Sequence, residues 1–369
     1  MKYSAFLICF LFLCCAKVQA QQTFAITGSV KDEDHLALPG ATVFLTGTRS
    51  ITACDLQGVF HLDNLTPGTY ELVVKMVGYY PFIKTVTLTN APITLAIQLK
   101  PDKIVLKDVK IHPDYDRAKH LELFKKQFLG QSYNVKYCKI LNPDVLYFNY
   151  DKKEKKLSAT ANDFLVIQNM ALGYKLKYLL TNFDFDENTN IVTFQGYPSF
   201  EEMTGTTQQQ VLWAKNRKIA YAGSINHFVK SIYTNRVLEE GFVVFKLLNR
   251  PIPGTKPITD KKPILVNRII SFDSLLTVVN KDSKSLTFKD CLYVVYKNET
   301  EPENFKELSY TVKQPEADIP DGQASLVYLL APSVNIDYNG LYDPTGGLFF
   351  EGYFAWEKAA ELLPSDYRF

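Results

Sequence analysis

The sequence predicts a mainly β protein, with a small antiparallel β-sandwich over residues 22–100 followed, past a connector at 101–113, by a mixed α+β domain over 114–369. Three observations predict it. Six or seven β-rich runs recur between residues 23 and 100 at a spacing of roughly 8 to 12 residues, without helical periodicity between them, which is the pattern of a small sandwich. Glycine and proline punctuate those runs at Pro39-Gly40, Gly47, Gly58, Pro67-Gly68 and Gly78, where a tight turn is expected. Beyond residue 113, amphipathic helical stretches and paired strand runs follow one another in irregular order, as in an α+β domain.

The chain begins MKYSAFLICFLFLCCAKVQAQQ. Lys2, an apolar stretch over residues 5–16 and the small-x-small triplet Val18-Gln19-Ala20 form a secretory signal peptide, cleaved between Ala20 and Gln21. The apolar stretch is well short of the roughly 20 residues that span a bilayer. Leu13 before Cys14 is a poor match to the small residue that precedes a lipidated cysteine. Cleavage also removes Lys2 and Lys17, which leaves acidic and basic residues balanced. Balanced charge argues against nucleic acid and against an electrostatic membrane-surface binder, both of which need a concentrated basic field. No later apolar run suffices for a transmembrane span, so an exported protein of the periplasm, outer-membrane periphery or cell surface is expected.

Cys54, Cys138 and Cys291 remain after cleavage. Three thiols allow at most one intramolecular disulfide, and all three also read as small buried residues. No Cys-x-x-Cys or close histidine pair suggests zinc, and no cofactor is expected.

Within the first domain the runs are FAITGSV, ATVFLTG, GVFHLDN, TYELVVKMV, FIKTVTL and ITLAIQL. In TYELVVKMV, Tyr70, Leu72, Val74 and Met76 share the core face, while Glu71, Val73, Lys75 and Val77 share the other. The segment from Gly28 to Pro81 resembles the carboxypeptidase-like regulatory domain, a transthyretin-like, Ig-like sandwich of Bacteroidetes envelope proteins. The matching positions are Gly28 and Val30, Pro39-Gly40-Ala41 with Val43, Gly47-Thr48, Asp55 with Gly58 and Phe60, Leu65 with Gly68 and Tyr70, and Val77-Gly78-Tyr79. Cys54 departs from the threonine usual before the aspartate. The zinc peptidase that accompanies this module elsewhere is not implied. None of His35, His61, His112, His120 and His227 has a glutamate three residues later, and there is no His-Glu-x-x-His helix. The same module precedes the plug of TonB-dependent transporters, and the run from Val105 to Ile111 is shaped like their next strand, but the remaining chain is too short for a barrel of roughly 22 strands.

In the second domain, residues 114–130 read as an amphipathic helix with Ala118, Leu121, Phe124 and Phe128 on one face, Asp114 or Asp116 at its start and Gly130 at its end. Two hairpins follow, VLYFNYDKKEKKLSATA and GYKLKYLLTNFDFDENTNIVTFQGYP. Helices fill 206–240, where Lys215, Arg217 and Lys218 read as a solvated face. Strands over LTFKDCLYVVYKN and SLVYLLAPSVNIDYNG come next, and a short helix is expected over 356–363. The stretches CKILNPDVLYFNYDKKEKKLSA, LGYKLKYLLTNF and GYPSFEEM resemble a family of secreted Bacteroidetes proteins known by the first domain alone, which implies an address and an architecture.

No catalytic constellation emerges. No local signature brings His120 or His227 to Cys138. Glu201-Glu202 and Asp184 with Asp186 read as solvated turns rather than a glycosidase pair. Residues 184–190 lack the glycine and distal glutamate of a calcium loop. Pro364 and the preceding helix argue against a terminal barrel strand, so Tyr367 and Phe369 are expected to dock on their own domain. With 22 tyrosines and 25 phenylalanines, the β surfaces suit contact with a protein or glycan. The expectation is a secreted, non-catalytic envelope protein that binds or adapts a protein or glycan partner. The alternative is an extracytoplasmic hydrolase whose site is assembled from dispersed residues of the second domain.

Overall fold

The computed structural model describes residues 23–102, 116–255, 261–306 and 319–367. The signal segment with Ala20 and Gln21, nearly all of the connector, His112 and Phe369 lie outside them. The protein is mostly β with a few helices, as its sequence predicts.

Seven strands build the sandwich: β1 (Phe24–Lys31), β2 (Thr42–Leu45), β3 (Ile51–Ala53), β4 (Val59–Leu65), β5 (Gly68–Lys75), β6 (Phe82–Leu88) and β7 (Ile93–Gln98). They form two sheets, β4-β1-β7 and β3-β2-β5-β6. Every pair is antiparallel except β1 with β7, which run parallel. Ile26, Val30, Val43, Leu72, Val74 and Leu88 fill the space between the sheets. The turn into β4 shows how sequence sets shape. Asp55 Oδ1 accepts the N–H groups of Gln57 and Val59 at 2.9 and 2.8 Å. Gly58 sits at φ +75°, where a Cβ would meet Val30 O at 2.6 Å.

The middle of the chain is a six-stranded sheet of β8 (Cys138–Ile140), β9 (Leu146–Asp151), β10 (Lys156–Ala161), β11 (Leu165–Asn169), β12 (Tyr174–Asp186) and β13 (Ile191–Glu202). Helix α1 (Arg117–Phe128) packs on it through Phe124 and Phe128, which join Leu157, Tyr178 and Phe183 in one core. Asp116 occupies the N-cap position without a side-chain cap bond, and Gly130 follows the helix at φ +96°. Helix α2 (Thr207–Tyr221) starts with a Thr206/Gln209 capping box, and α3 (Ile225–Tyr233) starts at Ser224.

The remaining strands are β14 (Phe242–Leu248), β15 (Ile264–Ile269), β16 (Leu276–Asn280), β17 (Ser283–Leu286), β18 (Cys291–Tyr296), β19 (Gln323–Leu329), β20 (Val334–Asp337), β21 (Tyr342–Asp343) and β22 (Leu348–Gly352). They form a five-stranded sheet, β15-β14-β18-β19-β22, and a four-stranded sheet, β16-β17-β20-β21. Phe228, Phe242, Leu292, Val294, Phe272 and Val334 belong to a core that joins these sheets and α3. Two short helices complete the elements, α4 (Glu303–Lys306) and α5 (Tyr353–Trp356).

Helix α5 corrects the helix expected over 356–363. It ends at Trp356 because the next residues turn their N–H groups elsewhere: Ala359 and Ala360 donate to the carbonyls of Phe128 and Leu129 at 3.2 and 3.1 Å. The segment satisfies the open end of α1 instead of continuing its own helix.

The two parts meet along a seam that the alternation of β5 does not reveal. Val73, on the face opposite the sandwich core, is fully buried with Phe44 against Leu179 of β12. The rings of Phe44 and Phe164 meet edge-on at 5.4 Å. Backbone bonds cross the seam from Gly47 N–H to Pro198 O (2.7 Å) and from Phe200 N–H to Thr48 O (3.0 Å). A second contact joins the hydroxyls of Thr66 and Tyr338. The outer face of β4-β1-β7 stays open, with His61, Asp63 and Thr94 exposed.

Candidate functional site

The three cysteines are free thiols in separate places. Cys54 lies in the sandwich core, and burial, with help from Asp55, pushes its thiol up to about 11. Cys138 is half-buried beside the core of the middle sheet, and burial followed by Glu361 raises it to about 12. Cys291 is buried on β18 and is raised to about 12, again chiefly by burial. Thiols held this far above neutrality are poor nucleophiles. Neither buried histidine serves one. His120 stacks on Tyr150 at 5.1 Å. His227 accepts the Gly223 N–H at Nδ1 (3.2 Å) and faces Glu240 through Nε2 (3.4 Å). Burial lowers the pKa of His227, against the pull of Glu240.

The acidic pairs are structural. Asp184 accepts from Ser158 and pairs with Lys156 Nζ at 3.0 Å. Asp186 closes the 186–190 turn by accepting the N–H groups of Asn188 and Thr189. Glu201 pairs with Lys177. Glu202 stands between two arginines, Arg49 of the sandwich and Arg217 of α2, each at 3.3 Å. This corrects the solvated reading of Arg217. Its side chain is 11% exposed, lies over the Tyr174 ring at 3.9 Å and donates from Nε to Leu172 O at 2.7 Å. Arg49 also pairs with Asp366 at 3.2 Å, and Ser365 N–H donates to Gly47 O at 2.8 Å. Tyr367 contacts Arg217, while its neighbours 365–366 cross to the sandwich. Among the described residues no group of three or more His, Cys, Asp or Glu side chains could hold a metal ion, and no helix is long and apolar enough to cross a membrane.

A second carboxylate group lies near α5. Glu361 is held by Ser132 and Asn134, Glu299 accepts from Gln323, and Glu301 accepts the Ala324 N–H. Burial first, and then Glu361 and Glu299, raise Glu357 well above the usual carboxylate range. Three of these four carboxylates are thus engaged in holding backbone and side chains together.

One concavity is different in kind. A cleft of about 380 Å³ lies at the mouth between the five-stranded sheet and the 270–275 segment. Its lining combines aliphatic side chains (Val266, Ile269, Ile270, Leu275 and Leu292) with the buried edge of Phe288. Lys246, Arg268 and Lys289 supply its charge, and Ser271 and Ser274 its hydroxyls. A register break positions Arg268. Phe245 pairs with Ile269 and Lys246 with Val266, so Asn267 and Arg268 bulge from β15 with no partner on β14. Asp290, at φ +67°, turns the chain between Lys289 and β18 and holds Lys246 at 2.8 Å. Neither Arg268 nor Lys289 has an anionic partner among the described residues. No histidine lines the cleft, and of its two hydroxyls Ser271 Oγ donates to the Asp273 carboxylate at 2.8 Å. The sequence carried little signal for it, since Arg268 and Lys289 stand in unrelated runs that only the bulge and the Asp290 turn bring to one rim.

Comparison with known proteins agrees with the first domain. Residues 26–111 match the CarboxypepD_reg-like domain model, so the chain contains a carboxypeptidase-like regulatory domain. No curated protein matches the chain. Among solved structures, an interface mutant of a type II cohesin–X-dockerin complex from Acetivibrio cellulolyticus is 19% identical, with a TM-score of 0.20, over 21% of this chain and 58% of that one. The backbone pilus 2b protein of group B streptococcus is 18% identical, with a TM-score of 0.19, over 21% and 41%. The 3-chlorocatechol 1,2-dioxygenase of Rhodococcus opacus is 9% identical, with a TM-score of 0.20, over 23% and 62%. The chain spans less than two thirds of each, and nothing about activity follows from such likenesses.

Proposed function

We propose that this is an exported, non-catalytic protein of the cell envelope that recognises a macromolecular partner through the cleft between its five-stranded sheet and the 270–275 segment. The carrying observation is the chemistry of that cleft: an aliphatic floor under two cations, Arg268 and Lys289, that have no counter-ion among the described residues. The leader-like N-terminus and the regulatory-domain match support the envelope address. The seam gives the sandwich a further part in this reading. With Phe44 and Val73 spent on β12, the sandwich braces the second part, and its polar β4-β1-β7 face is what remains for other contacts.

The test is to isolate the tagged protein from crosslinked, gently solubilised envelope. One stoichiometric partner is expected, and it should be lost when Arg268 and Lys289 are both changed to Glu. Turnover of peptide or glycan substrates by the purified protein, abolished by a single carboxylate or cysteine substitution, would replace this reading with the hydrolase.

A further inference from the structure

The geometry points to an extended, acidic polypeptide segment as the occupant of the cleft, with an apolar side chain on its floor and a carboxylate against Arg268 and Lys289. This rests on the binding reading above and names its ligand.

Charge gives the sign. Lys246 is committed to Asp290 at 2.8 Å, whereas Arg268 and Lys289 meet no anion among the described residues, so the rim carries two uncompensated positive charges. A planar guanidinium is suited to a carboxylate, which it can grip with two parallel N–H groups.

The floor separates peptide from sugar. Sugars are commonly held on exposed aromatic faces, and here the one ring in the lining, Phe288, is 7% exposed. Val266, Ile269, Ile270 and Leu275 instead form a surface matched to an aliphatic side chain.

Backbone argues for an extended chain. Strand β15 is the outermost strand of its sheet, so along residues 264–266 its outward N–H and C=O groups have no ladder partner among the described residues. A short segment can pair there and be stopped by the bulge at Asn267 and Arg268, which ends regular pairing where the arginine stands. The exposed side chains of Ile264 and Ile269 flank this edge.

The test uses the full chain and three probes at neutral pH: a fluorescein-labelled decapeptide alternating Glu and Val, its Lys/Val counterpart, and decanoate. The Glu/Val peptide is expected to bind, to weaken as salt rises, and to lose about tenfold or more in affinity when Arg268→Glu and Lys289→Glu are combined. Unchanged thermal melting would show that the double variant folds. Equal binding of the Lys/Val peptide, or indifference to the charge reversal, would overturn the inference. So would saturable binding of decanoate without the acidic peptide, which would make the occupant a lipid-like anion. If the acidic peptide fails while capture of an envelope partner still depends on Arg268 and Lys289, the peptide inference falls and the binding reading stands. If both fail, both fall.

Discussion

Arg217 in the seam and Arg268 at the cleft carry the same guanidinium in opposite circumstances. Arg217 is nearly enclosed: it pairs with Glu202, covers the Tyr174 ring and donates to the Leu172 carbonyl. Arg268 stands on a bulge in an exposed strand, and no anion among the described residues pairs with it. The difference teaches how to separate a cation that holds a structure from one that waits for a ligand. Composition and spacing do not distinguish them; whether the charge is answered within the chain does.

Four outcomes break or sharpen that contrast. The largest is at the apolar centre of the seam, where Phe44→Ala removes a fully buried ring and should cost about 3–5 kcal/mol by urea denaturation. A loss below about 1 kcal/mol would mean that sandwich and middle sheet do not depend on each other. Next is Asp337, which shapes the turn that brings Tyr338 to Thr66 by accepting the N–H groups of Asn339 and Leu341. Burial raises its carboxyl from 3.8 to about 6, against those two donors. Because the folded state holds the proton more tightly, its contribution is fully present below the unfolded pKa, falls as pH rises towards about 6, and is level above. Relative to Asp337→Asn, the native protein should lose on the order of 3 kcal/mol between about pH 3.5 and 7, measured by denaturation across that range. A flat difference would show that this carboxyl is not shifted.

Arg217→Ala should then cost about 2 kcal/mol, since it strands the carbonyl of Leu172, uncovers the Tyr174 ring and leaves Glu202 to Arg49 alone. In the smallest effect, Arg268→Glu with Lys289→Glu should alter stability by no more than about 0.5 kcal/mol, because neither side chain has an ionic partner to lose among the described residues. If the cleft pair proved as costly as Arg217, the contrast would collapse, and with it the reason for reading the cleft as a ligand site.

The sandwich was legible because its signals are local. The Asp55-x-x-Gly58 turn, the alternation of Tyr70, Leu72 and Val74, and the glycines at chain reversals each act within a few residues. The hairpins of the middle sheet and the helix beginning at Arg117 were legible for the same reason. What escaped depends on distant partners. Val73 alternates as an outward residue and is buried only because β12 arrives with Leu179. Residues 357–363 have helical composition, yet the carbonyls of Phe128 and Leu129 take the N–H groups of Ala359 and Ala360. Arg217 reads as one of three solvated basic residues, and only the 172–173 loop and Glu202 show otherwise. The parallel pairing of β1 with β7 closes over the whole domain and leaves no local mark.

The bond from Arg49 to Asp366 spans 317 positions of the chain. That separation has a kinetic meaning. Every sandwich strand finds its partners within the first domain, so that domain can form as soon as its own residues are free to fold, while the seam must wait for nearly everything that follows. Closing so long a loop comes late and slowly. During that interval Phe44 and Val73 lie uncovered on a finished domain, an apolar patch exposed to chaperones or to neighbouring chains in the same state.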